Sequence, residues 1–253
     1  MIRFFGVFIL VFLFLPFCNG QIVNIENRRI YDDTAGWSGS LDAGFSVTKN
    51  SENILYSGNF RPRVQYKNRK NIVLLISDLT YTASNKTTYA NSGMTHLRYA
   101  RRIKNSAWKW EFYTQVQYNQ MLNQRLRYLI GSGPRWKFYD KNDIRFFIGT
   151  SGFWEYEELT QDGVINSNVR WSSYLSWFIK TKSGFSFSAT TYYQPRFDKI
   201  KDFRFSGQYW ISQKITKYFD WKFEFNLFYD SYPPSNVQRT VFSSMTGFIV
   251  RLG

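Results

Sequence analysis

The chain has 253 residues, 21% of them aromatic, and carries a formal net charge of +15. Its single Cys and single His exclude a disulfide framework and a Cys- or His-rich metal site. The high aromatic content excludes general disorder, and the basic balance excludes an acidic disordered tail.

The N-terminus has the three-part layout of a secretory signal peptide. Arg3 precedes an apolar run over residues 4–17, and Cys18-Asn19-Gly20 ends it with small residues. Fourteen apolar residues are short for a helix that spans a membrane. The pattern therefore predicts export with cleavage before Gln21, and a lipidated Cys18 remains a weaker alternative.

From Gly36 onward the dominant hydrophobic period is two, as in strands with one apolar and one polar face. Residues 108–119 are the clearest case, because Trp, Phe, Val and Tyr fill the even positions and mostly polar residues the odd ones. A helix would mix the two sets on every face. The twelve predicted strands cover roughly 36–48, 54–66, 72–83, 92–102, 107–119, 122–137, 143–156, 168–180, 185–195, 202–214, 220–230 and 240–252.

The connections and the strand ends add a second pattern. Connections tend to alternate between short polar turns and longer segments such as 157–167 and 231–239, which is typical of outer-membrane barrels. Aromatic residues at strand ends, such as Trp108 and Tyr229, fit the two interfacial girdles. A soluble β-sandwich or lipocalin remains the alternative, but neither needs so many strands ending in Trp and Tyr.

The sequence therefore predicts an all-β protein, a transmembrane antiparallel up-and-down β-barrel of about twelve strands. The predicted segments are a signal peptide (1–20), a short periplasmic N-terminal segment (21–35) and the barrel (36–253). The predicted location is the outer membrane of a Gram-negative bacterium.

If the apolar faces meet lipid, the alternate positions point into the barrel lumen. An Arg at mid-membrane on the lipid face would cost about 2–4 kcal/mol, so the faces are strongly constrained. The predicted lumen-facing charges outside the cluster described next are Arg61, Arg63, Arg98, Arg135, Arg145, Arg170 and Arg204.

One lumen cluster follows from strand register. A turn centred near Asp140–Lys141 pairs the sixth and seventh strands, and a turn near Gln120–Met121 pairs the fifth and sixth. The predicted cluster is Gln115, Gln117, Arg125, Arg127, Glu155 and Glu157. These charges could simply neutralise one another and brace a filled lumen. Alternatively they could form a constriction that selects permeants, as rings of fixed charge do in pores.

Several motifs resemble those of the bacterial family of unknown function number 481, whose YdiY-like members are called salt-induced outer-membrane proteins. The motifs are Tyr229-Asp230-Ser231-Tyr232-Pro233-Pro234, Leu97-Arg98-Tyr99, Arg125 and Arg127 followed by Gly131-Ser132-Gly133 and Arg135, then Gly149 and Tyr156-Glu157. The resemblance covers residues 36–253. It implies an outer-membrane location and an association with envelope or salt stress, and it supplies no catalytic residues.

The prediction is a non-enzymatic protein with a structural or stress-associated role, a charged basic lumen, and no cofactor or metal. A narrow anion-preferring pore for small solutes is the main alternative. An outer-membrane lipid hydrolase or acyltransferase is a weaker one, because such chemistry needs a His to activate a Ser. The only His is His96, with Ser92, Ser77 and Asp78 as candidate partners.

Predicted partners are outer-membrane lipids and lipopolysaccharide, with small anionic solutes as a further possibility. Lys67, Arg69 and Lys70 share one short turn that would suit anionic head groups, although a solvated turn is the simpler interpretation. Nucleic acid is not a predicted partner, because the basic residues are spread over many strands and the chain carries a signal for export.

Overall fold

The computed structural model describes residues 35–50, 53–84, 87–104, 106–160, 163–216, 219–234 and 237–250. The predicted signal peptide lies outside the described residues, as does the predicted periplasmic segment apart from its last residue. Among the described residues, no helix is long and apolar enough to cross a bilayer.

Twelve antiparallel strands form one sheet in which each strand pairs with the next along the chain. The strands are β1 Gly36–Asn50, β2 Asn53–Lys67, β3 Asn71–Ser84, β4 Thr88–Arg102, β5 Trp108–Asn119, β6 Gln124–Lys141, β7 Ile144–Leu159, β8 Ile165–Lys180, β9 Phe185–Pro195, β10 Phe203–Lys214, β11 Phe219–Asp230 and β12 Thr240–Val250. One 3-10 turn, Gln120–Leu122, connects β5 to β6. The predicted all-β, up-and-down β-barrel topology is confirmed.

The alternation in the sequence becomes the two faces of the sheet. In β5, Trp110 and Phe112 are 42% and 49% exposed on the outer face, whereas Glu111 and Gln115 are buried on the inner face. β3 is apolar on both faces, with Leu75 on the outer face and Leu74 and Ile76 buried on the inner one. The side chains that a soluble protein hides are exposed here, and the charged ones are buried.

The β6–β7 hairpin turns two residues later than the sequence predicts. Asn142 and Asp143 have φ angles of 50° and 62°, the left-handed pair that a two-residue type I′ hairpin turn requires. β6 continues to Lys141 and accommodates a bulge between Lys137 and Tyr139. The predicted centre near Asp140–Lys141 was therefore wrong, because the bulge and the longer strand shift the register.

Some connections at the opposite end of the strands are also shorter than predicted. The predicted 157–167 loop shrinks to residues 160–164, since β7 and β8 both extend beyond their predicted limits. Ser84 and Thr87 hydrogen-bond each other across the β3–β4 turn, so the predicted long loop there is a tight turn. The connections 196–202 and 231–239 remain long, as predicted.

The sheet curls so strongly that its inner face meets itself. One cavity of about 420 Å³ is lined by Ser40 and Arg63 of β1 and β2 together with Trp210 and Glu224 of β10 and β11. Within the described residues, β1 and β12 do not pair with each other. The curl brings side chains of distant strands together in the interior.

Candidate functional site

The interior is rich in buried ionisable groups, which is unusual because an unpaired buried charge is very costly. On the strands, buried carboxylates and guanidinium groups occur from β3 to β11, and one more buried acid lies in the β9–β10 connection. The buried charged residues are Asp78, Arg98, Glu111, Arg135, Glu155, Glu157, Arg170, Asp202, Arg204, Asp220 and Asp230. Most of them belong to a single network.

Glu155 on β7 is the hub of this network. It is fully buried, and its two carboxylate oxygens accept hydrogen bonds from three arginines. The Nε atoms of Arg127 on β6 and Arg170 on β8 each lie 2.7 Å from it. Arg204 on β10 donates from Nη1. A carboxylate that pairs with three guanidinium groups in this way can remain ionised although it is buried.

Arg204 carries the network across the interior. Its Nε lies 2.8 Å from the Asp230 carboxylate on the neighbouring β11. Its Nη2 lies 3.1 Å from Glu157 on β7, a strand separated from β10 by β8 and β9. The side chain therefore reaches past two intervening strands on the inner face and does not simply bridge adjacent strands.

A second arm fastens the β9–β10 connection into the interior. Arg170 donates from Nη2 to Asp202 at 2.9 Å, and Arg196 donates to the other Asp202 oxygen at 3.2 Å. Arg196 also pairs with Asp198, and this hydrogen bond lowers the pKa of the exposed Asp198 carboxyl. Arg170 on β8 thus holds the connection from outside, and the two ion pairs of Arg196 stabilise it from within.

A mostly neutral arm runs the other way along the inner face. Glu157 accepts from the Gln124 amide at 2.5 Å, and Gln124 in turn accepts from Gln117 at 2.8 Å. Gln117 accepts from Gln115 at 2.5 Å. Gln115 Oε1 lies 3.0 Å from Nδ1 of His96.

The tautomer of His96 follows from these contacts. The Arg98 Nε–H must donate, so Nε2 of His96 at 3.2 Å accepts, and the proton of the neutral ring lies on Nδ1, facing the Gln115 oxygen. Arg98 then pairs with Glu111 at 3.0 Å. The network is continuous from Glu111 on β5 to Asp230 on β11.

The structure brings together five of the six residues of the predicted cluster, and Arg125 is the exception. Its side chain is 69% exposed and forms an ion pair with Glu158 at 2.9 Å. A bulge between Gln124 and Leu126 makes Arg125 the extra residue of the strand and turns it out of the alternation. Strict period two could not reveal that bulge.

The other predicted lumen-facing arginines divide into three groups. Arg98, Arg170 and Arg204 join the network described above. Arg61 donates to Asp78 at 3.2 Å and lies 4.0 Å from Asp42, while Arg63 donates twice to the Ser40 hydroxyl.

The remaining two lie on β6 and β7, closer to the β6–β7 turn than the network is. Arg135 is buried, and its guanidinium carbon lies 3.9 Å from the ring centre of Phe147, a cation–π geometry. Arg145 lies 3.6 Å from Asp140, close to the β6–β7 turn.

The comparisons with known proteins place this fold in a family. The family model described as "Protein of unknown function, DUF481" matches residues 41–251. The chain belongs to this family. A search of curated proteins gave no match. Solved structures with a similar fold include the NanC porin in a rhombohedral crystal form, with 11% identity, a TM-score of 0.48, and coverage of 85% of this chain and 100% of that one.

Sequence reasoning missed three members of the network in this DUF481 chain. The predicted strands make Gln124 an ordinary strand residue and place Asp202 at the start of the tenth strand, with Arg196 in the connection before it. A signal was available for the last two, because Arg196 is followed by acids at positions 198 and 202. This connection meets β8 by continuing the β8–β9 ladder, because Arg196 forms a β-bridge with Arg170 and the Phe197 amide donates to the Val169 carbonyl oxygen.

Of the candidate catalytic partners of His96, Ser92 and Asp78 line the same cavity as its ring, and Ser77 does not. Ser77 bonds Thr95 on the outer face, opposite to His96, and Asp78 bonds Arg61. Both ring nitrogens of His96 are engaged by Gln115 and Arg98. Within the described ranges, no group of three or more His, Cys, Asp or Glu could hold a metal ion.

A cavity of about 130 Å³ lies beside the neutral arm of the network. His96, Gln115 and Arg127 line it on one side, and Phe153 and Tyr192 close it on others. A cavity of this volume has room for several water molecules beside the polar side chains that line it.

Proposed function

We propose that this protein is an outer-membrane β-barrel with a structural, non-enzymatic role, and that the buried ion-pair network braces and fills its interior. The observation that carries the proposal is the inversion of the two faces. Charged side chains are buried inside, and large apolar side chains are exposed outside. Lipid is the solvent in which this arrangement is stable.

The large extent of the exposed apolar outer face supports the proposal that lipid surrounds the barrel. Every strand except β10 has at least one exposed large apolar residue on the described chain. Examples spread around the barrel are Phe45, Leu79, Ile130, Trp171 and Phe248, all 43% or more exposed. Soluble monomers rarely expose contiguous apolar patches larger than about 300–600 Å².

Aromatic clusters near both ends of the strands support two membrane interfaces. Trp108 and Trp136 stack with ring centres 5.3 Å apart near the short turns. Near the other end, Phe203 lies 5.4 Å from Tyr193 and 5.6 Å from Tyr229. Such girdles flank the apolar band of transmembrane barrels. All strands have 11 residues or more, enough to span a bilayer as tilted strands.

The interior favours bracing over an anion-selective constriction. The network contains Arg98, Arg127, Arg170, Arg196 and Arg204 against Glu111, Glu155, Glu157, Asp202 and Asp230, five against five, so its charge is balanced and not basic. Buried pairs are screened by salt much less than exposed ones. A barrel braced in this way keeps its interior when the ionic strength changes, which suits the salt-stress role that the family resemblance implies.

Cell fractionation tests the location. The full chain, expressed in a Gram-negative host, should sediment with outer membranes and migrate faster on gels before boiling than after, as folded barrels do. A Leu79→Arg variant, which puts a charge on the outer face, should reduce the folded form. Recovery of the wild type as a soluble periplasmic protein would refute the membrane location.

Conductance in planar bilayers tests the filled interior. The wild type should give no discrete current steps, because Arg204 crosses the interior. Arg204→Ala should produce steps, while Arg125→Ala, which removes an exposed charge, should remain silent. The folded state of each variant is checked by gel migration. Anion-selective steps from the wild type would refute the filled interior and establish the pore alternative. Lipase activity of the wild type would refute the non-enzymatic role.

A further inference from the structure

A strongly basic groove lies at the end of the barrel with the short turns. The β2–β3 turn and the end of β4 are joined by a hydrogen bond of 2.8 Å from the Arg102 amide to the Lys70 carbonyl oxygen. The space between them measures about 730 Å³ and is open to solvent. The residues that line this basic groove are Ala35, Lys67, Asn68, Arg69, Lys70, Arg101, Arg102 and Lys104.

Of the described residues that line the groove, six are cationic and none is acidic. The β2–β3 turn is held rigid, because the Asn68 side-chain oxygen accepts hydrogen bonds from the amides of Lys70 and Asn71 at 2.9 and 2.7 Å. Repulsion among six clustered cations is relieved when an anion lies between them. The groove is therefore suited to a group with concentrated negative charge.

Its position relative to the aromatic residues identifies the kind of anion. Trp37 and Tyr66 pack with ring centres 5.1 Å apart directly beside Lys67, and the Tyr99 hydroxyl donates to Asn71 at the start of β3. Tyr and Trp side chains of this kind lie at the level of lipid head groups. The groove is thus at phosphate level.

The neighbouring outer face fits the rest of a lipid. Val73, Leu75 and Leu97 are 37%, 42% and 44% exposed on the strands that leave the groove. An acyl chain attached to a phosphate in the groove would lie along these side chains. A free phosphate ion would gain nothing from them, so the surface favours a lipid.

We propose that the basic groove binds the phosphate head group of an anionic phospholipid in the membrane leaflet at the short-turn end. This inference rests on the proposed membrane location. It goes beyond general attraction to the membrane, because it assigns the preference to one groove and not to the whole basic rim.

The test uses the wild-type protein in phosphatidylcholine vesicles that contain spin-labelled phosphatidylglycerol or spin-labelled phosphatidylcholine. Electron paramagnetic resonance then gives the relative association of the two lipids with the protein. The groove variant carries Arg69→Gln, Lys70→Gln and Arg102→Gln. The matched control carries Lys180→Gln, Lys182→Gln and Lys214→Gln, which remove the same charge at the same end of the barrel.

The wild type and the control should both prefer phosphatidylglycerol, and the groove variant should lose that preference by at least about tenfold. Each Lys or Arg near an anionic surface changes partition by about fivefold, so three lost charges set an upper limit of about a hundredfold. Equal losses in the two variants would overturn the inference. If the triple variant does not fold, Arg69→Gln alone should lower the preference severalfold, and no change would again overturn it.

Two further measurements distinguish failure of the lipid proposal from failure of the proposed membrane location. Binding of inorganic phosphate to the lipid-free protein in detergent, without any preference for phosphatidylglycerol, would reassign the groove to a soluble anion and overturn the lipid. Failure of the wild type to insert into pure phosphatidylcholine vesicles, seen as loss of heat-modifiable migration, would refute the proposed membrane location instead.

Discussion

Replacing Glu155 by Gln removes the one carboxylate shared by three buried guanidinium groups. Arg204 retains Glu157 and Asp230, and Arg170 retains Asp202, whereas the ion pair of Arg127 is with Glu155. Breaking a buried ion pair from one side costs about 3–5 kcal/mol, because a charge is left uncompensated. Since two of the three arginines keep another acid, we expect the lower end of that range, about 3 kcal/mol.

The matched control is Glu158→Gln on the same strand, three residues away. Glu158 pairs with Arg125, whose side chain is 69% exposed. Exposed ion pairs contribute at most about 1 kcal/mol, so this variant should unfold almost as the wild type does. The assay is urea unfolding in phospholipid vesicles, followed by heat-modifiable gel migration and tryptophan fluorescence.

A second substitution identifies the mechanism. Adding Arg127→Met to Glu155→Gln removes the charge that lost its partner, so the double variant should be more stable than Glu155→Gln alone. If Glu155→Gln costs no more than Glu158→Gln, the network does not brace the barrel. If the free energies of the two substitutions simply add, Arg127 and Glu155 are not coupled, and Glu155 is not the centre of the network.

Three further outcomes are expected. Gly133→Ala should destabilise the barrel by about 1–3 kcal/mol in the same unfolding assay, because the new Cβ would lie 2.0 Å from the Thr150 carbonyl oxygen. The control Gly152→Ala, where the space around the Cβ is open, should be nearly neutral. Leu79→Arg, near the middle of β3, should lower the free energy of unfolding by about 2–4 kcal/mol. Ile165→Arg, at the first residue of β8, should lower it by at most about 1 kcal/mol. Raising the salt concentration should leave the Glu155→Gln penalty nearly unchanged, and a steep fall of this penalty with salt would place the network in water.

The strands were predictable because each one carries its own evidence. The alternation in residues 108–119 assigns Glu111 and Gln115 to one face whatever the rest of the chain does, and the structure buries both. β3 is the instructive exception, since Leu74, Leu75 and Ile76 give no alternation to read. Its inner residues pack with Met94 as a small apolar core, which only the pairing with β4 creates.

The cluster was less predictable because it depends on where alternation fails. A bulge adds one residue to a strand and reverses the faces on one side of it, and nothing in the letters around Arg125 marks such a position. The bulges at both ends of β6 shift the pairing so that Arg127 lies opposite Glu157, while it bonds the diagonal Glu155. Neighbouring strands were close enough in register for the other five residues to meet.

The contacts that span the interior were beyond any local pattern. Arg204 and Glu155 are 49 residues apart and lie on strands that do not pair, so neither spacing nor hairpin register relates them. Their meeting depends on the curl of the sheet and on the length of the arginine side chain. Asp202 differs, because it reaches Arg170 through neighbouring strands: its carbonyl oxygen accepts from the Arg196 amide, and Arg196 forms a β-bridge with Arg170.

The net charge of +15 is compatible with an anion-selective lumen, but in the structure the excess positive charge does not lie in the network around Glu155. The network around Glu155 matches its arginines with acids, so the interior at this level has no excess of positive charge to select with. At the short-turn end, Arg69, Lys70 and Arg102 line a groove whose described lining residues include no acid. A buried charge is costly unless it is paired, whereas a charge at the solvent-exposed rim can remain for a phosphate. In the proposed outer-membrane location, the basic excess at this rim faces the membrane surface, which supplies the counter-charge.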